Sequence, residues 1–240
     1  MALDAALLER GSRTGETVLR VYGWRAPTLS FGRNQTARGL YDGAAAAARG
    51  FEVVRRPTGG RAVLHHREVT YSVTGPVDAG QSLRESYGRI NRLLLDGLRR
   101  LGVRAELART AERAPLPSGI PCFESPTEGE LVVGARKLVG SAQYREQYAF
   151  LQHGSILIHD DQPLLGALAT RPLPPTPPAA TLAEALGCAP EPAAVAAALF
   201  AAVRRTEDPD ATALDLDAAL TTAARHAAAR FASDDWTWRR

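Results

Sequence analysis

Residues 55–72 read RRPTGGRAVLHHREVTYS, and the pattern on either side of the paired glycines decides the architecture. Phe51 to Arg55 runs into the glycines as a strand. Ala62 to His65 and Val69 to Thr74 leave them as two more, separated by the charged break at His66 to Glu68. Gly59 and Gly60, lacking Cβ atoms, let the backbone take positive φ and approach a ligand closely. Amides in such a turn can face a carbonyl or phosphate oxygen. A Gly-Gly hairpin with nothing bound has the same pattern. The adjacent Arg55–Arg56, like Arg99–Arg100, reads as a basic pair on a solvated face.

Outward from this stretch, strands and helices alternate without regular βαβ units. Met1 to Arg10 is expected to be helical, with Leu3, Leu7 and Leu8 on one face, and it starts without a cap or preceding turn. Thr17 to Tyr22 and Thr28 to Gly32 read as strands, and Leu40 to Arg49 as an alanine-rich helix ended by Gly50. Ser82 to Leu101 has the clearest helical period, placing Leu83, Tyr87, Ile90, Leu94, Leu98 and Leu101 on one stripe. Val103 to Leu107, Glu130 to Val133, Arg136 to Val139 and Phe150 to Ile158 read as strands, around a Pro-rich loop at 111–129. After the stiff stretch RPLPPTPP, helices are expected over Thr181 to Leu186, Pro192 to Arg205 and Ala213 to Phe231. The order predicts an α+β fold, a mixed β-sheet flanked by helices. The expected organisation is a catalytic core at 1–170, a linker at 171–178, and a helical segment at 179–240 packed on the same domain.

Composition narrows the classes. A chain of 240 residues with 45% hydrophobic and 23% charged residues is an ordinary globular composition with ample core. No apolar run is long enough to span a membrane, and the first residues lack the basic start and apolar stretch of a signal peptide. Two cysteines are too few for a disulfide framework, so free thiols in a reducing cytoplasm are expected. Net charge +3 and a pI of about 9.1 favour an acidic partner. A nucleic acid is disfavoured, because no basic run appears and aromatics are only 6%.

Two side chains stand out against this background. Lys137 is the single lysine beside 28 arginines in an Arg- and Ala-biased chain. A position that keeps lysine there either needs a compact, rotatable ammonium or kept it by chance. It sits in RKLVGSAQ, where Gly140, Ser141 and Ala142 leave room for a ligand; the plain alternative is a strand, then a turn, with the lysine reaching solvent. Cys122 lies in a Pro-rich loop, where packing asks little of a cysteine and catalytic groups concentrate. Cys188, at the end of a helix, reads as a packing residue. A thiol nucleophile benefits from a nearby ammonium, and the 15 residues between Cys122 and Lys137 permit the two to meet.

Taken together, MALDAALL, VYGWRAPTLSFGR, RRPTGGRAVLH, TYSV, CFESPTEGELVV, ARKLVGSAQ, LQHGSILI and SDDWTWRR resemble the cofactor-transferase family of lipoate–protein ligases, biotin–protein ligases and octanoyltransferases. The resemblance spans nearly the whole chain. It is nearest to octanoyltransferases with a cysteine ahead of the lysine strand, the LipM type. It implies the biotin/lipoate ligase catalytic-domain fold, with a tunnel floored by the Gly-Gly turn and the lysine strand. Cys122 then matches the acyl-accepting nucleophile and Lys137 the lysine near the acyl carbonyl. Arg56, Gly59, Gly60, Arg61 and His65 match one wall of the acyl pocket; Ser141, Ala142, His153 and Gly154 match the other.

The implied activity is octanoyl transfer in lipoate biosynthesis. The donor would be an acyl carrier protein. The acceptor would be a lysine of lipoyl domains, in 2-oxoacid dehydrogenase E2 subunits or glycine cleavage H protein. Neither ATP nor metal would be required. Arg61 follows the transferase pattern where ligases usually show a third glycine, His66 matches neither, and the strand expected before Met1 is missing. Two alternatives remain: an ATP- and Mg-dependent lipoate–protein ligase, needing Lys137 but no cysteine, and an idle homologue that only binds an acyl group or carrier domain.

Overall fold

Three sheets carry the molecule, and the largest is assembled from strands far apart in sequence. The structure, a computed structural model, describes residues 1–77, 80, 82–109, 128–174 and 177–239. Strands β1 (Val18–Tyr22), β5 (Glu68–Pro76), β10 (Ala149–Leu157) and β9 (Val139–Arg145) pair antiparallel in the order β1-β5-β10-β9. A second sheet is mixed: β2 (Thr28–Phe31) lies parallel to β3 (Glu52–Arg55) and antiparallel to β4 (Val63–His65). A third is small and antiparallel, joining β6 (Glu106–Leu107), β7 (Leu131–Val133) and β8 (Arg136–Lys137). The α+β expectation holds, and the mixed pairing is confined to the second sheet.

The first, third and fifth helices cover the large sheet, and the others pack around them and the mixed sheet. α1 (Ala2–Thr14) packs across β5 and β10, and its fully buried Asp4 accepts hydrogen bonds from Arg20 Nη1 at 2.7 Å and Ser72 Oγ at 2.8 Å. α2 (Gly43–Ala48) starts three residues into the expected helix because Asp42 caps it, accepting from Ala44 N and Ala45 N. α3 (Leu83–Arg100) opens on a capping box between Ser82 and Glu85 and buries Ile90, Leu94 and Leu98 in the main core. Leu83, expected on that stripe, is 42% exposed at the first turn. α4 (Leu182–Leu186) and α5 (Pro192–Thr206) close over α3, where Leu199 presses on Gly97 so closely that a Cβ there would lie 2.6 Å from Leu199 Cδ2. α6 (Ala218–Phe231) packs on α1 and begins later than the alanine pattern predicts, because Asp217 Oδ1 caps Leu220 N. A short α7 (Asp234–Thr237) follows.

Two expectations need correction. Arg55 and Arg56 are not on a solvated face: they are 0% and 4% exposed, and each guanidinium donates to several backbone carbonyls. Arg55 donates to Gly32 O and Gln35 O on one side and to Trp236 O and Thr237 O on the other, tying the chain's last helix to the loop after β2. The plain alternative of a turn at Gly140 to Ala142 also fails: they lie in the seven-residue strand β9, whose pairing partner β10 supplies the order that small side chains do not. Cys188 is exposed, not packed. The Pro-rich loop lies mostly outside the described residues, as do parts of the 171–178 stretch. Among the described residues no helix is long and apolar enough to cross a membrane.

Candidate functional site

The cleft between the large and the mixed sheet holds a narrow cavity. Its first wall is three consecutive rungs of the β9/β10 ladder: Gly140 opposite Ser155, Ser141 opposite Gly154, and Ala142 opposite His153. Small residues at five of these six positions keep the wall low. Gly154 is required by the packing against the core: a Cβ there would sit 2.7 Å from the Tyr71 ring. Tyr71 O–H in turn pairs with Ser141 Oγ at 2.7 Å, and burial pushes its pKa up to about 12, so it remains a phenol. The opposite wall comes from β2 and β4, with Ser30, Val63 and His65, and from Arg56 behind them; Thr70 of β5 closes the corner.

The Gly-Gly turn reaches the cavity through Arg56. Arg56 Nη2 donates to Gly59 O at 2.9 Å and to Arg61 O at 2.7 Å, while Nη1 donates to Ser30 O at 3.0 Å. Gly60 takes φ +91°, the left-handed region that its lack of a Cβ makes accessible. The turn also lies flat on Gly32, where any Cβ would penetrate the Gly60 carbonyl. Thr58, just before the glycines, crosses to the large sheet: its Oγ1 meets His153 Nε2 at 2.6 Å. Burial pushes the His153 imidazole down to about 3, so it serves as a neutral hydrogen-bonding group.

Of the residues the sequence nominated, Arg56, His65, Ser141, Ala142, His153 and Gly154 converge on this one cavity. Gly59, Gly60 and Arg61 stand behind it, held to the wall by Arg56. Lys137 does not reach solvent: it is 5% exposed and its Nζ donates to Glu130 Oε1 at 2.9 Å. It sits three residues ahead of the wall residue Gly140, on β8. Cys122 lies outside the described residues.

Sequence reasoning missed Ser30, Thr70, Ser155, Glu68 and Glu130. Glu130 carried a signal, since a buried carboxylate seven positions from the lone lysine is the partner that lysine needs. Ser30 and Ser155 carried none, because serine in a strand is ordinary.

The chain matches the model of the lipoyl protein ligase A/B catalytic domain over residues 1–204. It is 50% identical over 182 residues to octanoyltransferase LipM of Kyrpidia tusciae, covering 72% of this chain and 66% of that protein. It therefore spans just under two thirds of that relative's length. With octanoyltransferase LipM of Symbiobacterium thermophilum it shares 42% identity over 205 residues, covering 78% of this chain and 74% of the relative. A bi-partite lipoate protein ligase of Thermoplasma acidophilum has the same fold, at a TM-score of 0.79 and 20% identity, covering 99% of this chain and 89% of that one.

Proposed function

The chain belongs to the lipoyl protein ligase A/B catalytic-domain family, and from that premise we propose that it is an octanoyltransferase of lipoate biosynthesis. It takes octanoyl from the thioester of an acyl carrier protein and passes it to a lysine of lipoyl domains, on 2-oxoacid dehydrogenase E2 subunits or glycine cleavage H protein. The observation that carries this reading is the cavity. It is narrow and walled largely by small side chains, with a few polar groups placed around it. Identity of 50% to a protein named octanoyltransferase supports the choice of acyl group.

In the proposed cycle Cys122 thiolate attacks the octanoyl carbonyl, the carrier's thiol leaves, and a thioester to Cys122 remains. The amine of the acceptor lysine then attacks that thioester, the C–S bond breaks, and an amide forms while the thiol is restored. Lys137 is the cation offered to the oxyanion in both steps, held in place by its carboxylate partner Glu130. The thioester already carries the activation, so no nucleotide is needed.

Incubating the chain with octanoyl–acyl carrier protein and a lipoyl domain, without ATP, tests this reading. The lipoyl domain should gain one octanoyl mass. Modification that requires ATP and free lipoate or octanoate would replace the transferase by the ligase. Modification under neither condition would leave a binding homologue.

A further inference from the structure

The cavity wall opposite β9 and β10 contains a chain of hydrogen bonds that begins at each end with a group able only to donate. At one end Trp24, whose indole N–H can only donate, gives its proton to Thr70 Oγ1 at 2.8 Å. Thr70 then has its own proton for Glu68 Oε1, which it meets in a short contact. At the other end Arg56, again only a donor, gives an Nη1 proton to Ser30 Oγ at 3.1 Å. Between the two ends lies His65, with Nε2 2.8 Å from Ser30 Oγ and Nδ1 3.0 Å from Glu68 Oε1.

For a neutral imidazole, hydrogen counting then selects the tautomer. Glu68 accepts, so the proton facing it belongs to His65 Nδ1, and Nε2 receives the hydroxyl proton of Ser30. The reverse tautomer would aim a nitrogen lone pair at the carboxylate and leave the Ser30 proton without an acceptor among the described residues. The ring plane is fixed as well, because Trp24 stacks on His65 with centroids 4.4 Å apart and planes 20° apart. Both ends of the chain converge on Glu68, whose side chain is 1% exposed.

We propose that Glu68 is a positioning residue for this cavity. It locks His65 as the Nδ1–H tautomer, flat against Trp24, and so shapes the wall that Ser30, His65 and Thr70 present to the bound chain. Glu68 itself does not line the cavity; it acts through His65 and Thr70. The consequence for acyl transfer rests on the octanoyltransferase reading, whereas the lock on the imidazole does not.

Long-range ¹⁵N–¹H correlation on the full chain reads the tautomer directly, with His65 assigned by its loss in His65→Gln. The native protein should show His65 protonated at Nδ1, and protonation at Nε2 would overturn the proposal whatever the activity. In Glu68→Gln the Nδ1–H population should fall. KM for octanoyl–acyl carrier protein should rise about ten-fold with kcat changed less than about two-fold, the signature of lost uniform binding. Thr70→Val, which leaves the Glu68–His65 pair intact, should keep the tautomer. A Glu68→Gln protein with native tautomer and native KM would overturn the proposal; if that variant does not fold, the native tautomer alone decides it. Absence of octanoyl transfer by the native chain would count against the octanoyltransferase reading and leave the tautomer result to judge Glu68.

Discussion

Lys137 shows how far a single position can be read and where reading stops. Its isolation among arginines marked it, but whether it faced solvent depended on Glu130, seven residues away and brought close by the β7/β8 pairing. A buried ammonium 2.9 Å from its partner leaves no space for a larger, planar guanidinium. Lys137→Arg is therefore expected to slow octanoyl transfer at least about 100-fold, the scale on which small misplacements of reacting groups act; near-native single-turnover rates would remove the lysine from the chemistry. His153 makes a prediction of a different kind. Its folded pKa is about 3 against an ordinary 6.5, so the unfolded chain binds the proton first. The stability this neutral histidine contributes is fully present above pH 6.5 and is lost as pH falls toward 3. Carboxylates held low respond only in stronger acid. Asp4 is one, where the effect of burial is outweighed by the N-terminal ammonium and Arg20. Between pH 6.5 and 4.5 the native protein should therefore lose up to about 1.4 kcal/mol per pH unit through this group, and His153→Gln should flatten that slope in denaturant titrations.

Among the elements, those with strong local signals were legible and those defined by their partners were not. The α3 stripe and its capping box are written within twenty residues, and strand β5 alternates plainly. Strand β9 is not legible, because Gly140, Ser141 and Ala142 have turn-like propensities and are held extended only by β10. The same holds for the twin arginines before the Gly-Gly turn. Their neighbours in sequence say surface, yet the carbonyls that Arg55 satisfies belong to residues 20 and more than 180 positions away. Arg55→Lys should consequently behave as a non-conservative change. One ammonium cannot bridge two groups of carbonyls, and the loss is expected to be about 3 kcal/mol, with faster amide exchange at Asp234–Thr237 as the local signature. Gly32→Ala should be as damaging from the other side of the same contact. Its Cβ would meet backbone, which cannot swing aside, so destabilisation of about 3 kcal/mol in urea is expected.

At the scale of the whole molecule, the element order was enough for the α+β class, since it excluded a regular βαβ winding. It did not reveal that the strands divide into three sheets, or that the cavity forms where two of them face each other. That face-to-face contact depends on pairings such as β5 with β10 and on cross-links such as Thr58 to His153, whose partners lie 95 positions apart. Six of the nominated wall residues nonetheless meet at one cavity, because the motifs they came from are the edges of that contact. The proposed octanoyl transfer runs through a covalent acyl relay at Cys122. Intact-mass analysis of the chain after incubation with octanoyl–acyl carrier protein, without ATP or acceptor, reads that relay in one step. One added octanoyl group is expected, retained in Cys188→Ser and absent in Cys122→Ser; an adduct on Cys188, or none on either cysteine, would rule the relay out.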